Sequence, residues 1–122
     1  MRFFIYEPDD SGLEFSKGLS KIDELAKNWR YSVISAGKNP SIGKILPELL
    51  TNAGVENFAF KSRIYSRSGK DLTLLKSAAT NLVNIFSKFP GSEELRKKSL
   101  VQIENANEND WFNEKYCYAF RA

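Results

Sequence analysis

Three carboxylates stand where an apolar strand gives way to a turn. Phe3 to Tyr6 is wholly apolar; Glu7, Asp9 and Asp10 follow at once, with Pro8, Ser11 and Gly12 supplying turn chemistry. Ligands of open α/β sheets bind at the carboxyl ends of strands, so Glu7 and Asp9 are candidates to face a substrate. The plainer alternative is a turn whose acids are solvated. Trp29 and Tyr31 form a second pair, two residues apart on a helical stretch. Trp29 belongs to that helix's apolar stripe and reads as core, whereas Tyr31 lies off the stripe. Lys61, Arg63, Arg67 and Lys70 make a third group with no acid among them. Clustered cations suit phosphate, yet Lys and Arg also protect edge strands from unwanted pairing, and the second account argues against a nucleic-acid partner.

Much chemistry is excluded by what is missing. The chain has no histidine, which removes imidazole acid–base catalysis, Ser-His and Cys-His pairs and most zinc sites. Its single cysteine, Cys117, cannot form an internal disulfide and suits a reducing, cytoplasmic setting. The seven glycines never approach closer than six residues, so no Gly-x-Gly loop exists to cradle a phosphate or dinucleotide.

Composition sets the frame for these groups. With 122 residues, 42% hydrophobic and 13% aromatic, the chain is expected to fold as one domain over residues 1–122. No apolar run reaches the length of a membrane span, and the amino terminus carries no signal-like stretch. The net charge of +3 is uneven: residues 1–61 hold eight basic and eight acidic side chains, residues 62–122 ten and seven.

Periodicity predicts three strands and about four helices. The strands are 3–7, 57–65 and 115–121. In the second, Phe58, Phe60, Ser62 and Ile64 alternate with Ala59, Lys61, Arg63 and Tyr65. In the third, Tyr116, Tyr118 and Phe120 oppose Cys117, Ala119 and Arg121, and they are expected to pack with Phe58 and Phe60. A first helix begins at Ser20 and closes at Gly37. A second spans about 41–53, with Pro47 disturbing its first turn. A third runs from Asp71 to Phe89 and stops at Pro90-Gly91. A fourth starts at Ser92, and residues 13–19 read as irregular.

The stretch from Gly37 to Gly54, GKNPSIGKILPELLTNAG, carries a family resemblance. Asn39, Pro40, Gly43, Leu46, Pro47, Leu49, Leu50, Ala53 and Gly54 resemble the helix before the sixth strand of class I S-adenosylmethionine-dependent methyltransferases of the small-molecule type. Residues 3–12 resemble that fold's fifth strand and acidic loop, the segment after Val55 its sixth strand, and 111–122 its seventh. The resemblance implies a partial Rossmann-like α/β fold with a three-stranded mixed sheet, the last strand central and antiparallel. It implies a C-terminal, acceptor-side portion, with Glu7, Asp9, Trp29 and Tyr31 near a small-molecule acceptor.

The family's cofactor-binding loop would lie before Met1. The chain alone is therefore expected to hold no S-adenosylmethionine and to lack activity, as a truncated or split gene product would. A partner supplying the missing half is one expectation, and a homodimer through exposed 3–7 edges is another. A non-enzymatic interaction module and a small basic nucleic-acid binder are the alternatives.

Overall fold

The structure, a computed structural model, describes residues 2–122. Its elements follow the sequence periods closely. Strand β1 is Phe3–Pro8, the short β2 is Glu14–Phe15, and helix α1 is Ser20–Ser35. Helix α2 is Leu46–Asn52, β3 is Ala59–Ser68, α3 is Leu72–Phe86, α4 is Glu93–Glu104 and β4 is Trp111–Arg121. The class is α/β. All ladders run antiparallel and β4 is the common partner: it pairs with β1, β2 and β3.

Three expectations need correction. The sheet has four strands, because β2, too short to show a period, pairs Glu14 with Asn113 and Phe15 with Phe112. It is also not mixed at the level of its ladders, since every partner of β4 opposes it. The expected second helix divides: Ile42–Ile45 form a 3-10 turn, and α2 starts at Leu46 with Pro47 in its first turn. Proline costs nothing there, because the first backbone donors of a helix are unpaired in any case. Gly54 closes α2 at φ 82°, while Val55 N–H donates back to Leu50 O at 3.0 Å. That left-handed turn is one that glycine adopts without strain.

The chain divides into two compact units. The first comprises residues up to Leu13, Asn39–Tyr65 and Glu114–Ala122; the second comprises Glu14–Lys38 and Ser66–Asn113. In the second, α1, α3 and α4 pack on one another around Leu19, Ile22, Leu25, Leu75, Val83, Phe86 and Ile103, all buried. Phe112 is fully enclosed and stacks on Phe15, ring centroids 5.7 Å apart. Buried Asp110 shapes the turn before β4. It accepts from Ser16 Oγ at 3.0 Å and from Asn107 N–H at 3.0 Å.

In the first unit β1 and β4 are in register from Phe3↔Arg121 to Pro8↔Tyr116. Asp9 N–H donates to Lys115 O at 2.9 Å, which extends the ladder one residue and fixes its phase. By antiparallel alternation Phe3, Ile5 and Glu7 turn their backbone groups to β4, while Phe4, Tyr6 and Pro8 turn theirs outward. Contacts of Glu56 with Arg121, Lys61 with Phe120, and Tyr65 with Tyr116 place β3 along the same stretch of β4. A strand has two edges, so β4 lies between β1 and β3. The outer edge of β1 pairs with no described strand.

The two faces of this sheet differ. One, with Cys117 and Ala119 buried, is met by the 3-10 turn, whose Gly43 lies against Glu7, Pro8 and Cys117. The other carries Phe4, Tyr6, Tyr116, Tyr118 and Phe120, and Phe4 is 63% exposed.

Candidate functional site

Glu7 is half-buried and opposite Cys117 in the ladder, at the carboxyl end of β1. Asp9 is buried and committed to the turn that follows. Its Oδ1 accepts from Ser11 N–H at 3.1 Å and from Ser11 Oγ at 2.6 Å, while Lys115 Nζ stands 3.4 Å from Oδ2. Burial alone would raise its pKa, but the Ser11 bonds and the Lys115 cation outweigh burial and hold the carboxyl below its usual value. The geometry gives Asp9 a structural task, with its oxygens already engaged. Cys117, beneath the same ladder, has its thiol pushed up first by burial and then by the Asp9 charge. It stays protonated and is a poor nucleophile.

The sign of the Asp9 shift has a measurable consequence. A depressed carboxylate adds stability above its unfolded value, near 3.8, and loses that contribution as the pH falls through the lower folded value. Asp9→Asn is therefore expected to lower stability at neutral pH. The gap between variant and parent should narrow when the urea midpoints are measured at about pH 3. An equal gap at both pH values would show that the charge contributes nothing.

Trp29 and Tyr31 belong to the other unit. Trp29 is half-buried against Phe86, with centroids 5.1 Å apart, and so joins the helical core. Tyr31 is 76% exposed and makes no ring contact among the described residues. The four residues thus divide as Glu7 and Asp9 on one unit, Trp29 and Tyr31 on the other.

The aromatic row of β4 meets rings of β1 and β3 other than the expected ones. Phe4 packs on Tyr118 at 5.6 Å and on Phe120 at 6.4 Å, and Tyr6 packs on Tyr116 at 5.8 Å and on Tyr118 at 6.1 Å. From β3, Tyr65 meets Tyr116 edge-on at 5.8 Å and shares a hydroxyl–hydroxyl hydrogen bond with Tyr118. Lys61 Nζ lies 5.3 Å from the centre of the Phe120 ring.

This corrects the expected row. Tyr116, Tyr118 and Phe120 meet Phe4, Tyr6 and Tyr65, while Phe60 is 39% exposed and outside the ring cluster. Between β1 and β3 an open depression of about 280 Å³ is lined by Phe4, Lys61, Ser62, Arg63, Tyr65 and Tyr118. Two alternations hinted at this face, even positions in 116–120 and odd positions in 61–65. Only the register joins them.

The described residues contain no group of His, Cys, Asp and Glu able to hold a metal ion. None of their helices is long and apolar enough to cross a membrane. The chain matches no protein-family model and no curated protein. What this site offers is a surface of rings and cations beside a strand end, suited to binding.

Proposed function

We propose that this chain is the acceptor-side part of a class I S-adenosylmethionine-dependent methyltransferase fold, Rossmann-like in topology and without methyl-transfer activity by itself. The position of β4 carries the reading. It comes after β3 in sequence, yet it lies between β1 and β3 and opposes both, which makes β1 and β3 parallel to each other. A plain meander would set β4 beside β3 alone. A reversed strand inserted between two parallel ones is the arrangement the resemblance implies. Gly43 adds support, since the resembling segment seats itself against the carboxyl end of β1 there.

In this reading Glu7, at the strand end, faces a small-molecule acceptor. Asp9 holds the loop and Trp29 holds α1. The residues present do not fit the cofactor: there is no Gly-x-Gly loop, and Gly12, Gly18, Gly43 and Gly69 are each closed over by neighbouring protein atoms. S-adenosylmethionine, which supplies the methyl group, would be held by a complementary part joined at the open edge of β1.

A chimera tests this reading, with the cofactor-binding half of a small-molecule methyltransferase placed before Arg2. Calorimetric titration should find one-to-one, micromolar S-adenosylmethionine binding in the chimera and none in the chain alone. The amides of Phe4 and Tyr6 should exchange fast in the chain and slowly in the chimera. Tight binding by the chain alone, or unchanged exchange at Phe4 and Tyr6, overturns the proposal. The same edge favours a second reading, a homodimer pairing two β1 strands about a two-fold axis. Sedimentation of the chain alone as a concentration-independent monomer rules that out.

A further inference from the structure

The uncovered aromatic face has a composition that a buried face would not need. Core rings are enclosed by apolar neighbours, but here Phe4 is 63% and Tyr6 58% exposed, and the flanking strand supplies Lys61 and Arg63. No carboxylate lines the depression between them. We infer that this face, formed by Phe4, Tyr6, Tyr118, Phe120, Lys61 and Arg63, is a binding surface for single-stranded nucleic acid.

The chemistry argues for that ligand class. Unpaired bases present flat faces that stack on exposed rings, and a phosphate follows every base, so a strand is recognised by rings interleaved with cations. On this sheet the rings lie 5.6–6.4 Å apart from centre to centre. Lys61 leans over Phe120, and Arg63, two residues along β3, lines the same depression. The hydroxyl pair of Tyr65 and Tyr118 adds a donor and an acceptor between ring and cation. The Tyr118 phenol, neutral near pH 7 like any tyrosine and pushed further up first by its bond to Tyr65, does not repel a phosphate. The depression is small and open, which suits a planar group lying on the sheet better than an enclosed ligand. A duplex hides its base faces and would not use the rings.

This inference does not rest on the methyltransferase reading. That reading uses the backbone edge of β1 and is tested by cofactor binding, whereas this one uses ring faces and is tested with an oligonucleotide.

The test is fluorescence anisotropy of a labelled twelve-nucleotide oligothymidine titrated with the full chain at several salt concentrations. Two phosphate contacts predict a log–log salt slope of about −1.4. Lys61→Ala with Arg63→Ala should flatten that slope. Phe4→Ala, at a position exposed enough to leave the fold intact, should weaken binding roughly ten-fold with the slope unchanged. Lys97→Ala with Lys98→Ala removes as much charge from α4 and should change neither. Absence of binding at tens of micromolar chain, or an equal loss in the α4 variant, overturns the inference. So does a salt-independent self-association that Phe4→Ala abolishes, because it would assign the face to a second copy of the chain.

Discussion

Phe112→Ala is expected to cost about 4 kcal/mol of folding stability, in the middle of the range for buried aromatic truncations. Phe112 has no exposed surface and stacks on Phe15. It occupies the stretch of β4 that pairs with β2, in the same unit as α1, α3 and α4. Removing the ring leaves a cavity that the surrounding elements cannot close without breaking the ladder. A domain of this size has about 5–15 kcal/mol in all, so the variant should unfold at a much lower urea concentration or fail to accumulate. A loss below about 1.5 kcal/mol in equilibrium urea unfolding would place the ring outside a tightly packed core.

Gly43→Ala is the second large effect, expected at about 3 kcal/mol from overpacking. A Cβ at Gly43 would stand 2.6 Å from Glu7 O, 3.0 Å from Pro8 O and 3.1 Å from Cys117 Cβ. Two of those neighbours are backbone and cannot swing away. Either the 3-10 turn lifts off β1 or the strand end moves, and both disturb the position of Glu7. Equilibrium unfolding reads the loss. An amide spectrum should show shifts concentrated at Glu7, Pro8 and Cys117. Wild-type stability in this variant would show that the turn does not seat on the strand.

The helical part of this fold was largely legible in the sequence. The stripe from Ile22 to Val33 and the stops at Gly37 and Gly54 report local physics, and the helices end where those signals stand. Asp71 caps α3 through Leu74 N–H as its position suggests. The third helix ends at Phe86, three residues before the expected Phe89. The sheet was legible in its strands but not in its pairing. Phe3-Phe4-Ile5-Tyr6 reads as buried on both faces, yet the even residues are open, because coverage depends on what packs from elsewhere in the chain. Likewise the more apolar row of β3, Phe58 and Phe60, is the one the sequence favours to meet Tyr118, and it is the wrong one. Choosing Tyr65 over Phe60 requires a register, and a one-residue slip exchanges the rows. Asp9 announced a turn, but Lys115, its ionic partner, lies too far along the chain to be inferred.

The register of β1 on β4 also bears on how the protein comes into being. Phe3 is matched with Arg121, so β1 finds its partner only when the chain has been synthesised through residue 121. Loop-closure entropy makes such distant pairing slow, while helices α1, α3 and α4 can form from nearby contacts as they emerge. During that interval Phe3 to Tyr6 waits as a nascent apolar segment with neither edge bonded. A chaperone that grips short aromatic stretches should therefore associate with this chain during translation and release it once Tyr116 to Arg121 have left the ribosome.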